Sequence, residues 1–223
     1  MTRSIRKIFA ALLSTAAILL FGAANAAAAD MPSPPRDTAA MMKGTQTAVL
    51  AGGCFWGMEG VFERLKGVID VTSGYSGGEK NTAHYEMVGT GRTGHAESIQ
   101  VQYDPSQISY GTLLKVYFSV AHDPTQLNYQ GPDHGTQYRS AIFYANDGQK
   151  KVAEDYITML DAARVYPKPI VTQVVALKAF YAAEDYHQKF LDNNPDYPYI
   201  VYWDLPKIAA LQKTFPDLVS KKS

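Results

Sequence analysis

The sequence holds a single cysteine, Cys54, so no internal disulfide can form. Its five histidines and one cysteine make no cluster with zinc-ligand spacing. There is no P-loop, and no G-x-G-x-x-G between a strand and a helix, so no metal, flavin or nucleotide site is marked. An excess of one charge is missing too. Lys plus Arg and Asp plus Glu each number 21, which argues against a nucleic-acid binder. Charged residues are 19% and hydrophobic residues 46%, a globular rather than disordered composition. The 223 residues suit one domain, or two small ones, and no internal repeat is visible. What is left is a compact domain with one thiol.

Arg3, Arg6 and Lys7 precede an apolar run from Ile8 to Ala24, and Ala24-Asn25-Ala26 supplies small residues behind it. Basic, apolar and small in that order is the layout of a bacterial secretory signal, so residues 1–26 are expected to direct export and be removed. The run, about 17 residues, is at the short limit for a ~30 Å membrane core. Cleavage after Ala26 or within Ala27–Ala29 leaves a periplasmic or secreted chain with no stable membrane insertion. Residues 27–44, with Pro32, Pro34 and Pro35, read as a proline-rich linker. A catalytic domain is expected over 45–205 and a C-terminal tail over 206–223.

Within the domain, strand patterns alternate with helical ones. Thr47–Ala51 reads as a buried strand turning at Gly52-Gly53 into a helix on which Phe55, Met58, Phe62 and Leu65 share a face. Val68–Tyr75 and Ser98–Tyr103 read as strands, and Leu113–Ala121 as a helix. Ser140–Tyr144 is a strand, Val152–Ala163 a helix, Ile170–Leu177 a strand and Ala179–Leu191 a helix. The order βαββαβαβα predicts an α+β fold: a two-layer α/β sandwich with a mixed sheet and a ferredoxin-like (α-β plait) core. Tyr75–Glu97 and His122–Arg139 are glycine-rich, polar-aromatic and without periodicity. Loops that long inside a domain point to a site.

Cys54 follows the glycine pair and begins the first helix, where unpaired N–H groups and the helix dipole favour thiolate. A lowered thiol pKa is the expectation. An exported protein usually pairs or lacks cysteines, and the glycines would let substrate approach the sulfur, so a reactive thiol is favoured over an inert one. A cysteine hydrolase would need an imidazole base. His84, His95, His122, His134 and His187 show no familiar Cys–His arrangement. His187 fits a packed structural role on a helix face with Ala183 and Phe190. A carboxylic acid near the thiol, with tyrosine hydroxyls around it, offers another chemistry: protonating an oxygen as sulfur displaces it.

Gly53-Cys54-Phe55-Trp56-Gly57-Met58-Glu59 resembles the signature of the peptide methionine sulfoxide reductase A family. Gly74-Tyr75-Ser76-Gly77-Gly78 is similar to the family's glycine turn. Tyr85-Glu86-Met87-Val88 with Gly91-Arg92-Thr93-Gly94-His95-Ala96-Glu97 resembles its second block. Asp133–Ser140 resembles the third and Ala183–Gln188 the fourth. The blocks stand in family order from about Ala48 to Gln188.

The resemblance implies reduction of free and protein-bound methionine S-sulfoxide to methionine, a repair of oxidised proteins. In that reading Cys54 attacks the sulfoxide sulfur. Glu97 protonates the departing oxygen and needs an apolar enclosure to stay neutral. Tyr85 and Tyr138 would hydrogen-bond the same oxygen. Phe55 and Trp56 would wall the methyl pocket, ordinary core packing being the competing reading, and Asp133 would orient the substrate backbone. The Cys54 sulfenic acid then has to be reduced. Many members recycle through further cysteines, but this chain has none, so an external thiol is required and no other cofactor. The donor could be a small thiol or a thioredoxin-like or glutaredoxin-like protein.

Overall fold

The computed structural model describes residues 31–37 and 44–220; residues 1–26, read as a secretory signal, and residues 27–30 and 38–43 of the linker lie outside the described residues. β1 (Gln46–Ala51) leads into α1 (Phe55–Glu63), followed by β2 (Val68–Ser76), the short α2 (Tyr85–Val88), β3 (Ala96–Tyr103) and α3 (Tyr110–Val116). A π-helical turn, Tyr117–Ala121, extends α3. The two-residue strands β4 (Tyr129–Gln130) and β5 (Asp133–His134) pair as a hairpin. Then come β6 (Ala141–Tyr144), α4 (Asp147–Ala162), β7 (Gln173–Ala176), β8 (Phe180–Ala182), α5 (Phe190–Asn193) and α6 (Leu205–Thr214).

Six strands form one mixed sheet in the order β7-β6-β1-β3-β2-β8. All neighbours are antiparallel except β6 and β7, which run parallel. That parallel pair needs a crossover, and α4 supplies it. Side chains alternate across the sheet as the strand period requires. Ala48, Leu50, Ile99, Val101 and Ile142 join α1, α3 and α4 in the main core, while Val49, Ala51, Ala96, Ala141 and Phe143 form a smaller cluster.

Helix ends follow their local chemistry. The Ser109 hydroxyl accepts from Thr112 N–H at 3.0 Å and starts α3. Asn146, just past the end of β6, caps α4 through Gln149 N–H at 3.0 Å.

The helix expected over Ala179–Leu191 does not form. β2 has a free edge there, and Phe180–Ala182 pairs with it instead. Gln188 reinforces the choice, its side chain accepting from Ser73 N–H and donating to Ser73 C=O, while Lys189 takes a left-handed φ of 54°. These long-range bonds replace the i→i+4 ladder. Gly74 permits the approach: a Cβ there would lie 2.3 Å from the Tyr181 carbonyl oxygen and 2.4 Å from the Phe180 ring. Gly74→Ala is therefore expected to lower stability by about 1–3 kcal/mol in urea denaturation. Unchanged stability would mean that β8 does not depend on that contact.

Both flanking segments lie against the domain. In the linker, Met31 is buried, the Tyr156 hydroxyl donates to the Pro32 carbonyl at 2.7 Å, and Asp37 accepts from Gly111 N–H at the start of α3. The stretch read as a tail contains α6, whose Ile208 and Leu211 are buried, and Leu65 bridges to Val219.

Candidate active site

Cys54 occupies the N-cap position of α1 and is buried, with 8% of its surface exposed. The Gly-Gly turn before it is filled by protein. A Cβ on Gly53 (φ 95°) would sit 2.5 Å from the Gln130 side chain, and one on Gly52 2.9 Å from His122. The glycines therefore admit neighbouring side chains, not the substrate approach expected for them. Beneath the turn, the Tyr117 hydroxyl donates to Ala51 C=O at 2.8 Å, and Ser140 Oγ lies 2.7 Å from His122 Nε2. Burial pushes His122 down to about 4, so this support is neutral at physiological pH.

Glu97, at the start of β3, is 3% exposed, and its Oε2 accepts from Phe55 N–H at 3.1 Å. The acid thus shares a hydrogen bond with the residue next to the thiol. Burial raises Glu97 to about 8, opposed by the Phe55 hydrogen bond and reinforced by the charges of Asp133 and Asp204. The neutral carboxyl required by the sequence reading is what this enclosure produces. The expectation for Cys54 is overturned: its pKa lies well above the ordinary thiol range. Burial is the largest cause, and the charges of Glu97 and Asp204 add to it, outweighing the Trp56 N–H and the Lys207 charge. A helix start lowers a thiol pKa only when solvation does not dominate, and here it does.

The two long loops converge on this pair because they are stitched together. Arg139 donates to Gly94 C=O at 2.9 Å and Thr136 C=O at 2.8 Å, Thr136 Oγ1 donates to Gly91 C=O at 2.7 Å, and Gln137 donates to Gly89 C=O at 3.2 Å. Tyr85 and Tyr138 are both half-buried, and Cys54 and Glu97 act electrostatically on each of them. Desolvation raises Tyr85 to about 12 and Tyr138 further, so both hydroxyls keep their protons as donors. Glu184 fixes Tyr85 by accepting its backbone N–H at 2.9 Å and the Tyr75 hydroxyl at 2.8 Å.

Phe55 is 1% exposed and packs on Tyr75 and His187, with ring centroids 5.9 and 5.0 Å away. Trp56 is half-buried and stacks on Phe190 at 3.8 Å. Its indole N–H donates to His187 Nδ1 at 3.1 Å. His187 is accordingly buried and structural, though on a 3-10 turn instead of a helix. Asp133 is half-buried and accepts a hydrogen bond from the Tyr199 hydroxyl. Among the described residues no hydrogen bond joins Cys54 to an imidazole, the arrangement a cysteine hydrolase would need.

Sequence reasoning missed Tyr199, Asp204 and Lys207, all from segments read as domain end or tail. Cys54 acts electrostatically on Tyr199, and Asp204 and Lys207 act on Cys54. Leu205, Ile208 and Leu211 recur at helical spacing around Pro206, and that pattern could have brought the segment into the domain.

A neutral acid, a lone thiol and flanking phenols inside an α+β domain define a thiol-based oxidoreductase. The family model for peptide methionine sulfoxide reductase matches residues 46–218. "Peptide methionine sulfoxide reductase MsrA 2" of Mesorhizobium japonicum is 63% identical over 179 residues, covering 80% of this chain and 92% of that protein. The Synechocystis protein of the same name is 52% identical, covering 81% and 85%. Among solved structures, Mxr1 from Saccharomyces cerevisiae in reduced form aligns with a TM-score of 0.62 at 36% identity, covering 69% of this chain and 87% of that one. Methionine sulfoxide reductase A of Corynebacterium diphtheriae aligns at 0.59 and 38% identity, covering 70% and 77%. The chain belongs to the peptide methionine sulfoxide reductase family, in its MsrA branch.

Proposed function

We propose that the chain reduces the S-epimer of methionine sulfoxide, free and in oxidised proteins, through a Cys54 sulfenic acid that an external thiol resolves. The observation that carries the reading is the Phe55 N–H···Glu97 bond of 3.1 Å, which ties a neutral carboxyl to the backbone beside the thiol. Both groups are protonated in the resting site; in the reactive form Glu97 keeps its proton and Cys54 has released its own to solvent water. Sulfur attacks the sulfoxide sulfur, and Glu97 gives its proton to the oxygen while Tyr85 and Tyr138 donate hydrogen bonds to it. Oxygen passes to Cys54, methionine leaves, and a proton from solvent water returns to the carboxylate. Trp56 and Phe55 wall the methyl side, and Asp133, held by the Tyr199 hydroxyl, orients the substrate backbone.

Cys54 has no partner cysteine in the chain, so the sulfenic acid is attacked by an incoming thiol with loss of water. A second thiol then releases Cys54 and leaves as the oxidised donor, a small thiol or a thioredoxin-like or glutaredoxin-like protein. Residues 1–26 support a periplasmic or secreted setting. The order β1-α1-β2-β3-α3-β6, with β6-β1-β3-β2 adjacent and antiparallel, supports a ferredoxin-like core.

The test is a single turnover without reductant. One equivalent of methionine per chain, with dimedone incorporated at Cys54, is the expected result. Binding of sulfoxide with no methionine formed would make the chain a binding module and sink the proposal.

A further inference from the structure

Asp204 has no exposed surface and stands at the N-cap of α6, yet its side chain caps nothing. Pro206, in the first turn, lacks the N–H that an N-cap side chain would take at that position. The carboxylate turns inward: Oδ1 accepts from Lys207 Nζ at 3.0 Å, and Oδ2 is buried with no hydrogen-bond partner among the described residues. Lys207 is itself mostly covered, its side chain 20% exposed. The pair rests on the nucleophile's helix. A Cβ on Gly57, three residues past Cys54, would lie 2.1 Å from Asp204 Oδ1 and 2.9 Å from Lys207 Nζ. A half-satisfied buried carboxylate is costly, and such a group in a site needs an explanation beyond packing.

We propose that Asp204 and Lys207 are a positioning pair: seated on Gly57, they hold one positive charge beside the first turn of α1, where the sulfur of Cys54 turns anionic. The proposal rests on Cys54 being the nucleophile and adds a cation, Lys207, that offsets part of what burial and the neighbouring carboxylates set against the thiolate. It also explains the second glycine of the G-C-F-W-G run, since any side chain at Gly57 would displace the pair. The other groups facing Cys54 are Glu97 from β3 and the phenols Tyr85, Tyr138 and Tyr199. None of them is a cation. Asp204 opposes the thiolate and Lys207 favours it, so the two members have opposite signs of effect on one sulfur.

That opposition gives a test that a merely structural role would not pass. The single thiol makes alkylation by iodoacetamide a direct reading of thiolate at Cys54. At pH 7.5 the full chain carrying Lys207→Gln should be alkylated about tenfold more slowly than the parent, and Asp204→Asn about tenfold faster, a shift of about one pKa unit each way. Lys207→Arg keeps the charge and should restore the parent rate. Changes of the same sign in the Gln and Asn variants, or no change in either, would overturn the pair. The readout does not involve sulfoxide. Opposite shifts in a chain that forms no methionine in the single turnover without reductant would uphold the pair and remove the reductase reading.

Discussion

Cys54→Ser should abolish thiol-driven reduction of methionine sulfoxide, with a loss greater than about 1,000-fold. A serine hydroxyl at the N-cap of α1 is a poor nucleophile toward sulfoxide sulfur, and the chain has no second sulfur of the thiol kind to replace it. The site should otherwise survive. Ser matches Cys in shape, and the neighbouring Phe55 N–H still bonds Glu97. An unchanged melting temperature together with lost activity is the expected pair of observations. Activity at the parent level would refute Cys54 as the attacking group.

Glu97→Gln should slow the same reaction by about 100- to 1,000-fold. The amide can still accept from Phe55 N–H, so geometry is kept and the acid alone is lost. The substitution also has a consequence for stability that can be signed. Glu97 is held at about 8 in the fold against an ordinary 4.5, so the folded chain keeps its proton where the unfolded chain has lost it. Its contribution is complete below pH ~4.5, shrinks as pH rises toward ~8, and changes little above that. The amide of the variant does not titrate and carries no such dependence. Urea denaturation at pH 5 and pH 8.5 should therefore show the parent losing a few kcal/mol relative to the variant, on the order set by that shift. A parent-to-variant difference that stays constant with pH would mean that Glu97 ionises normally and cannot act as the acid.

How far the sequence reaches differs from element to element. Phe55, Met58 and Phe62 declared a helix and are buried on it, while Leu65, also buried, lies past the helix end at Glu63 and bridges to Val219 instead. Thr47–Ala51 declared a strand because β-rich apolar runs that end at paired glycines leave little else open to the backbone. Ala179–Leu191 misled because helical spacing is only a local preference. The free edge of β2, and the side chains of Gln188 and Glu184 reaching to it, belong to the tertiary structure. The site divides the same way. The position of Cys54 at a helix start singled out the thiol, the family resemblance named Glu97, Tyr85, Tyr138 and Asp133 beside it, and hydrogen bonds between the two long loops join the segments that carry them. Tyr199, Asp204 and Lys207 carry no motif, and only the packing of the segment from Tyr199 into α6 brings them to the thiol and its helix.

The sequence by itself determined the family, the single cysteine that leaves no internal disulfide, and the main alternation of strands and helices. These depend on residue type and local periodicity, which the chain carries wherever it lies. Only the tertiary structure decided the charge states. Burial raised Glu97, and it also raised Cys54 against the pull of its helix start. Solvation is a property of everything packed around an atom, and no stretch of sequence contains it.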